Sequence, residues 1–203
     1  MSINLRGRNS KLRIGVLSTA RIATRRVIPQ MQTARNIEVV AIASRELGRA
    51  QEAAKMLGIA KAFGSYEALI DDPEIDAVYN PLPNAMHAEW SIKAAQARKH
   101  VLCEKPIAAN ANEAAQMFAA AQEHGVTLME AWVYPFHPQN ERALEIVRAG
   151  AIGEVQTVRS SFTFTVSDER NVRLQASLAG GSLMDVGCYC VSAIRHFMNA
   201  EPI

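Results

Sequence analysis

Along the first two thirds of the chain, short apolar runs rich in β-branched residues alternate with longer Ala-rich segments of helical period. The pattern predicts strands near Leu12–Leu17, Glu38–Ala43, Ala77–Asn80, His100–Cys103 and Thr127–Glu130. Helices are predicted between them, near Arg21–Gln32, Leu47–Leu57, Ser65–Ile70, Ala85–Ala97 and Asn112–His124. Gly58 and Gly125 stand where helices should stop, and Ser65 and Asn112 where they should start. Strands that alternate with crossover helices build a parallel sheet covered on both faces, so the expected class is α/β.

After Glu130 the rhythm breaks. Trp132, Tyr134, Pro135, Phe136, His137 and Pro138 form an aromatic, proline-interrupted crossover that continues neither helix nor central strand. A boundary is expected there, dividing the chain into residues 1–130 and 131–203. Beyond it the pattern predicts a helix near Gln139–Arg148, a turn at Gly150–Gly153 and a half-buried strand over Val155–Val166. A polar loop, a Gly180-Gly181 turn and a helix near Leu183–Phe197 follow. With one strand in view, the second domain is expected to be an incomplete, open-sheet α/β unit.

Composition narrows the partners. The 203 residues suffice for one domain and part of another. A net charge of +2, from 22 basic and 20 acidic residues spread along the chain, offers no basic stripe for nucleic acid. No run reaches the roughly 18 apolar residues of a membrane span, and Met1 to Lys11 carries no signal-peptide core. Cys103, Cys188 and Cys190 form no C-x-x-C pair, which fits reduced thiols, a cytoplasmic setting and no metal site.

Four places carry chemistry. Gly15-Val16-Leu17-Ser18-Thr19-Ala20-Arg21-Ile22 leaves a strand and enters a helix, where backbone N–H groups and the helix dipole favour a pyrophosphate. Ser18 and Ala20 stand where a dinucleotide loop would carry glycine, and the run equally fits an ordinary tight turn. After the second strand, Ser44-Arg45 replaces the acidic residue that holds ribose hydroxyls in NAD-selective folds, and an arginine fork suits a 2′-phosphate. Arg45 also fits a surface arginine opening a helix beside Glu46. Lys105, in Cys103-Glu104-Lys105-Pro106, follows a strand at the edge where such sheets bind ligands, and its ammonium can donate to a substrate hydroxyl. In the last helix Asp185 and Tyr189 are four apart and share a face, with Gly187 between them leaving room for an approaching group. A tyrosine is a poor base at neutral pH, but an ammonium such as that of Lys105 favours its phenolate. His87, His137 and Trp132 fit packing at a domain junction at least as well as a pocket.

Read together, Asn80-Pro81-Leu82-Pro83-Asn84-Ala85-Met86-His87, Glu104-Lys105-Pro106, Gly180-Gly181 and Asp185-Val186-Gly187-Cys188-Tyr189 resemble the glucose–fructose oxidoreductase, inositol dehydrogenase and rhizopine-catabolism (Gfo/Idh/MocA) family. Glu130-Ala131-Trp132-Val133-Tyr134 and Phe136-His137-Pro138 are similar to its branch of NADP-dependent D-xylose dehydrogenases and dimeric dihydrodiol dehydrogenases, with Pro135 where that branch often has a basic residue. The resemblance implies an N-terminal Rossmann domain and a C-terminal α/β domain whose open sheet makes a homo-oligomer interface. It implies Lys105 and Tyr189 as the catalytic pair with Asp185 beside them. It places NADP, in preference to NAD, against Gly15, Ser18, Thr19, Ala20, Arg21, Ile22, Ser44, Arg45, Asn80, Pro81, Leu82, Asn84, His87, Glu104 and Lys105. The expected reaction is hydride transfer between NADP and a sugar or cyclic polyol. Members of the family usually continue well beyond this length, so a truncated member that binds NADP without turnover, or an NADP sensor, stands as the alternative.

Overall fold

The computed structural model describes residues 11–201, so the expectation for Met1 to Lys11 falls, but for Lys11, outside the described residues. The chain divides into two compact units, the first ending at Glu130 and the second beginning at Ala131.

In the first unit six parallel strands form one sheet in the order β3-β2-β1-β4-β5-β6. They are β1 (Leu12–Leu17), β2 (Ile37–Ala43), β3 (Lys61–Phe63), β4 (Ala77–Asn80), β5 (His100–Cys103) and β6 (Leu128–Glu130). From β1 the chain moves outward to β2 and β3, then returns to place β4 on β1's other side. The strand order therefore reverses between β1 and β4, the switch point at which the carboxyl ends of strands open a ligand crevice. Strand alternation feeds two cores. Ile14, Val16, Val39 and Ile42 pack with Ile28 and Met31 of α1 (Ile28–Thr33) and Ala53 and Ala54 of α2 (Leu47–Leu57). Leu17, Ala43, Val78 and Val101 pack with Leu69 of α3 (Tyr66–Ile70), Trp90 of α4 (His87–Gln96) and Met117 of α5 (Ala111–Glu123).

The helix ends follow side-chain chemistry. Ser65 caps α3 by accepting the Ala68 N–H at 3.1 Å, and α2 stops at Gly58 in the left-handed region. Asn110, rather than Asn112, caps α5. Its oxygen accepts the Glu113 N–H at 3.0 Å, and Glu113 reaches back to the Ala109 N–H at 3.1 Å, so both ends of that exchange are satisfied. The unpredicted β3 is a three-residue edge strand, too short to show a period.

Gly15 sits inside β1, and a Cβ there would stand 2.7 Å from Leu69 Cδ2 and 2.8 Å from Ile75 Cδ1, both in the core. Its lack of a side chain lets α3 approach the sheet, which places it in packing rather than at the sheet's ligand edge. Gly15→Ala is expected to cost about 1–3 kcal/mol by overpacking. Thermal unfolding followed by circular dichroism should show a midpoint several degrees lower, and an unchanged midpoint would mean that the core absorbs the methyl.

The second unit holds α6 (Pro138–Arg148), short 3₁₀ turns at Tyr134–Phe136, Val172–Leu174 and Ala176–Leu178, and a π-turn at Leu183–Gly187 that runs into α7 (Cys188–Met198). The strand expected over Val155–Val166 does not form: these residues carry no strand assignment and are mostly exposed. Alternation prepares a face for burial, but a strand exists only when a neighbour takes its hydrogen bonds, and no described residue does so here. The expected sheet interface for a homo-oligomer is accordingly absent from the described residues. Ala176–Met198, with a mean hydropathy of 1.3, meets a bilayer span's length and composition, contrary to the sequence expectation. It is interrupted by the Gly180-Gly181 turn and carries Asp185 and Arg195, charges that a lipid-facing helix bears only at high cost.

Candidate functional site

The crevice side of the first unit is built by four turns that leave β1, β2, β4 and β5. After β1, Ser18 adopts φ 137°, a conformation natural to glycine. Such a backbone costs about 1–3 kcal/mol in any other residue. The serine hydroxyl offsets part of this by accepting the Ala20 N–H at 2.9 Å. The missing loop glycine is thus replaced by a serine that takes the glycine's backbone. Helical structure begins at Arg21, and a π-turn over Ala23–Val27 precedes α1. Thr19, Arg21 and Ile22 lie at this helix start, where the first N–H groups of a helix have no acceptor within it. A cradle of small residues ending in a helix N-terminus fits a dinucleotide pyrophosphate.

After β2, Ser44 is buried and its N–H donates to Phe63 O at 3.0 Å, while Arg45 is exposed. Glu46 pairs with Arg49 at 3.0 Å. No ion pair occupies Arg45 among the described residues, so its guanidinium faces solvent at the carboxyl edge of the sheet.

The turn after β4 is wired through Asn80, which is fully buried. Its amide donates to His87 O at 3.3 Å and Ser91 Oγ at 3.1 Å, and its carbonyl accepts the Leu82 N–H at 3.3 Å. His87 is also fully buried, with Nδ1 2.7 Å from Pro106 O and Nε2 2.8 Å from Leu82 O. Burial pushes its pKa down, against the pull of those two carbonyls and of Glu104. Expected as cofactor contacts, the Asn80 and His87 side chains are engaged by protein atoms and shape the wall behind the turn. Leu82 is buried, and Pro81 and Asn84 complete the segment.

After β5 come Glu104, Lys105 and Pro106, with a cis peptide between the last two. Tyr79 donates to Glu104 Oε1 at 2.6 Å, and Glu104 Oε2 accepts the Lys105 N–H at 3.3 Å. Burial and the Glu104 charge push the Tyr79 phenol strongly upward, so it stays a proton donor to the carboxylate. Glu130, at the end of β6, accepts the Ile107 N–H at 2.8 Å, and its carboxyl is raised by burial and by Glu104. Neither Tyr79 nor Glu130 stands out as a site residue in the sequence, because each reads as an ordinary strand position. Burial pushes the Cys103 thiol up to about 12, which leaves it unreactive.

In the second unit Tyr189 sits among rings. Trp132 stacks on it with centroids 4.5 Å apart, Phe162 lies at 5.8 Å and Tyr134 at 6.2 Å. Asp185 falls in the π-turn one helical turn before it and pairs with Arg173 Nε at 2.7 Å, a partner the sequence did not reveal. The backbone of the Arg173 turn packs closely on Gly180, where a Cβ would meet the carbonyls of Arg173 and Val172 at 2.6 Å. The room expected beside Gly187 is taken by its own turn, where a Cβ on Gly187 would stand 3.0 Å from Leu183 Cδ1. His137 caps α6 by accepting the Gln139 N–H at 3.2 Å. Lys105 therefore belongs to the first unit, and Asp185 and Tyr189 to the second. Among the described residues no cluster of three metal-ligating side chains occurs.

Residues 12–132 match the model of an oxidoreductase family with an NAD-binding Rossmann fold, and residues 140–203 match the GFO/IDH/MocA C-terminal domain. The chain is 51% identical over 185 residues to D-xylose 1-dehydrogenase (NADP(+)) 2 of Haloferax volcanii, covering 91% of this chain and 56% of that protein. It is 36% identical over 188 residues to trans-1,2-dihydrobenzene-1,2-diol dehydrogenase of Xenopus laevis, covering 92% and 57%. A 3-ketoreductase from Actinomadura kijaniata, solved in complex with NADP and TDP-benzene, superposes with a TM-score of 0.90 at 38% identity, covering 93% of this chain and 58% of the other. The chain thus spans little more than half the length of these relatives. With both parts of it matched in order, and with the sheet, the switch point and the Glu104-Lys105-Pro106 turn in place, the chain belongs to the Gfo/Idh/MocA oxidoreductase family.

Proposed function

We propose that this protein is a cytoplasmic NADP-dependent oxidoreductase acting on a sugar or cyclic polyol, its first unit binding the dinucleotide and its second contributing to substrate. The observation that carries the reading is the carboxyl edge of the sheet, where the Ser18–Ile22 cradle, Ser44-Arg45 and Lys105 follow β1, β2 and β5. Relatives named as NADP-dependent sugar dehydrogenase and as a ketoreductase solved with NADP support it. When bound, the nicotinamide supplies or accepts the hydride, chemistry no side chain can perform.

The chain's residues do the rest. Thr19, Ala20, Arg21 and Ile22 hold the pyrophosphate at the helix start, and Ser44 and Arg45 receive the 2′-phosphate. In oxidation Tyr189 takes the proton of the substrate hydroxyl, and Lys105 orients that oxygen and supplies positive charge beside it; in reduction Tyr189 returns the proton to the carbonyl oxygen. Asp185, held by Arg173, orders the helix turn that presents Tyr189.

Titration with NADPH and NADH by fluorescence, followed by initial rates over aldoses, polyols and nucleotide-linked keto sugars, tests the reading. Tighter binding of NADPH with turnover of at least one sugar is expected, and failure to bind NADPH overturns it. Arg45→Ala removes a charge-assisted contact of about 1.5–3 kcal/mol. It should weaken NADPH about tenfold or more and leave NADH unchanged, whereas equal losses would show that Arg45 does not read the phosphate.

A further inference from the structure

The turn that carries Lys105 is gripped at a single peptide group. Pro106 contributes the carbonyl of that group and Ile107 the N–H. His87 Nδ1, on the first residue of α4, lies 2.7 Å from the carbonyl oxygen. Glu130 Oε1, on the last residue of β6, accepts the N–H at 2.8 Å. One peptide plane is therefore held at both ends by two side chains that come from opposite directions along the chain. Both holders are themselves constrained. His87 is fully buried with its second nitrogen 2.8 Å from Leu82 O, and its backbone carbonyl accepts from the buried Asn80. Glu130 closes the edge strand that pairs with β5, with Cys103 opposite Glu130 in register. A peptide held at both ends resists rotation about its own axis, which restrains the backbone on either side of it, the Lys105-Pro106 link included.

We propose that His87 and Glu130 are positioning residues for Lys105, clamping the peptide between Pro106 and Ile107 so that the backbone from which the Lys105 side chain leaves is held in one place. Neither touches the substrate. The clamp deepens the proposed function and rests on it only for the role given to Lys105; the clamp itself stands on the two hydrogen-bonding contacts.

The geometry separates variants that keep the grip from variants that release it. In His87→Asn the amide nitrogen replaces Nδ1 and keeps the contact to Pro106 O, while in His87→Gln it replaces Nε2 and keeps only the contact to Leu82 O. A neutral imidazole has a single N–H, which the clamp places on Nδ1 toward Pro106 O; a proton on Nε2 would make His87→Gln the milder change instead. Glu130→Gln still accepts from the Ile107 N–H, and Glu130→Met does not. Amide hydrogen exchange at Ile107 should accelerate at least about tenfold in His87→Gln and Glu130→Met and stay near the parent rate in His87→Asn and Glu130→Gln. With NADPH and a turned-over sugar, kcat should fall about 10- to 100-fold in the releasing pair, as misplacement of a catalytic group does, with the Kd for NADPH little changed. Unchanged exchange in the releasing pair, or equal acceleration in all four, overturns the clamp. Faster exchange without a fall in kcat overturns its action on Lys105. If the parent turns over no sugar, the functional reading fails on its own. The direction of Lys105 is then read from the ¹H–¹³C signal of its ¹³C-methylated amine, which should shift toward the free-lysine position in the releasing variants; an unmoved signal overturns the proposal. Should His87→Gln not fold, Glu130→Met against Glu130→Gln decides.

Discussion

Replacing Tyr189 by phenylalanine should lower turnover by about 10²–10⁴-fold, the usual worth of a positioned acid or base. Dinucleotide binding should be untouched. The substitution is clean because of what surrounds the ring. Trp132 stacks on it at 4.5 Å, and Phe162 and Tyr134 lie at 5.8 and 6.2 Å. All three contacts are made with the ring, and a phenylalanine ring keeps them. What disappears is the phenolic oxygen, the atom that the proposed mechanism uses to carry the proton to and from the substrate. The aromatic surroundings hold the ring, so the substitution varies its oxygen and little else. Steady-state rates with NADPH and the best sugar, beside a fluorescence titration of NADPH, separate the two effects. A phenylalanine variant with kcat within about threefold of the parent would remove Tyr189 from the chemistry, since general acid–base catalysis is not that weak. A variant that also loses NADPH would mean that the ring's oxygen supports the cofactor site instead.

Where a feature was legible in the sequence depended on whether it is local. The strands β1, β4 and β5 and the helices α2 and α4 follow from period and caps, because each is decided by residues a few positions apart. The π-turns at Ala23–Val27 and Leu183–Gly187 are not, since a widened turn leaves the composition of a helix intact. Val155–Val166 shows the opposite failure. Its alternation is a sound strand signal, but pairing is a property of two segments and this one has no partner among the described residues. The candidate site divides in the same way. Ser18, Arg45, Lys105 and Tyr189 are visible because each carries its chemistry in its own side chain or follows a strand directly. Tyr79, Glu130 and Arg173 are not, because what matters about them is a hydrogen bond to Glu104, Ile107 or Asp185 across 25, 23 or 12 positions. His87 and Asn80 were legible as members of a motif but not in their duty: the motif suggested contact with the cofactor, whereas full burial and carbonyl partners make them supports.

Asn80→Asp, which changes one NH₂ group to an oxygen, is expected to destabilise the first unit more than the bulkier change to leucine. In the native protein the amide nitrogen gives both its hydrogens to oxygens, His87 O at 3.3 Å and Ser91 Oγ at 3.1 Å, inside a fully buried site. An aspartate would set a carboxylate oxygen against the His87 carbonyl oxygen with no hydrogen between them. Of the native partners only the Leu82 N–H, which the Asn80 carbonyl accepts at 3.3 Å, could stabilise it, and Ser91 could turn its hydroxyl to help. Two weak donors do not offset a charge in a fully buried site, so the carboxyl would have its pKa raised by desolvation. Leucine instead leaves polar groups unsatisfied without burying a charge, at about 1–3 kcal/mol for each. Of the two variants, only the aspartate should respond to pH. A carboxyl whose pKa is higher folded than unfolded makes the native state bind more protons than the unfolded chain. Stability is then retained below the unfolded aspartate pKa of about 3.9 and lost as pH rises through the folded value. Relative to the parent at each pH, Asn80→Asp should therefore be least damaging in acid and worst at neutral pH and above, and Asn80→Leu should show a constant deficit. Urea unfolding of the three proteins at pH 5 and pH 8 measures it. An aspartate deficit that does not grow with pH would show that the carboxylate is not desolvated at the end of β4, and the picture of a buried, fully wired wall behind the turn would have to be abandoned.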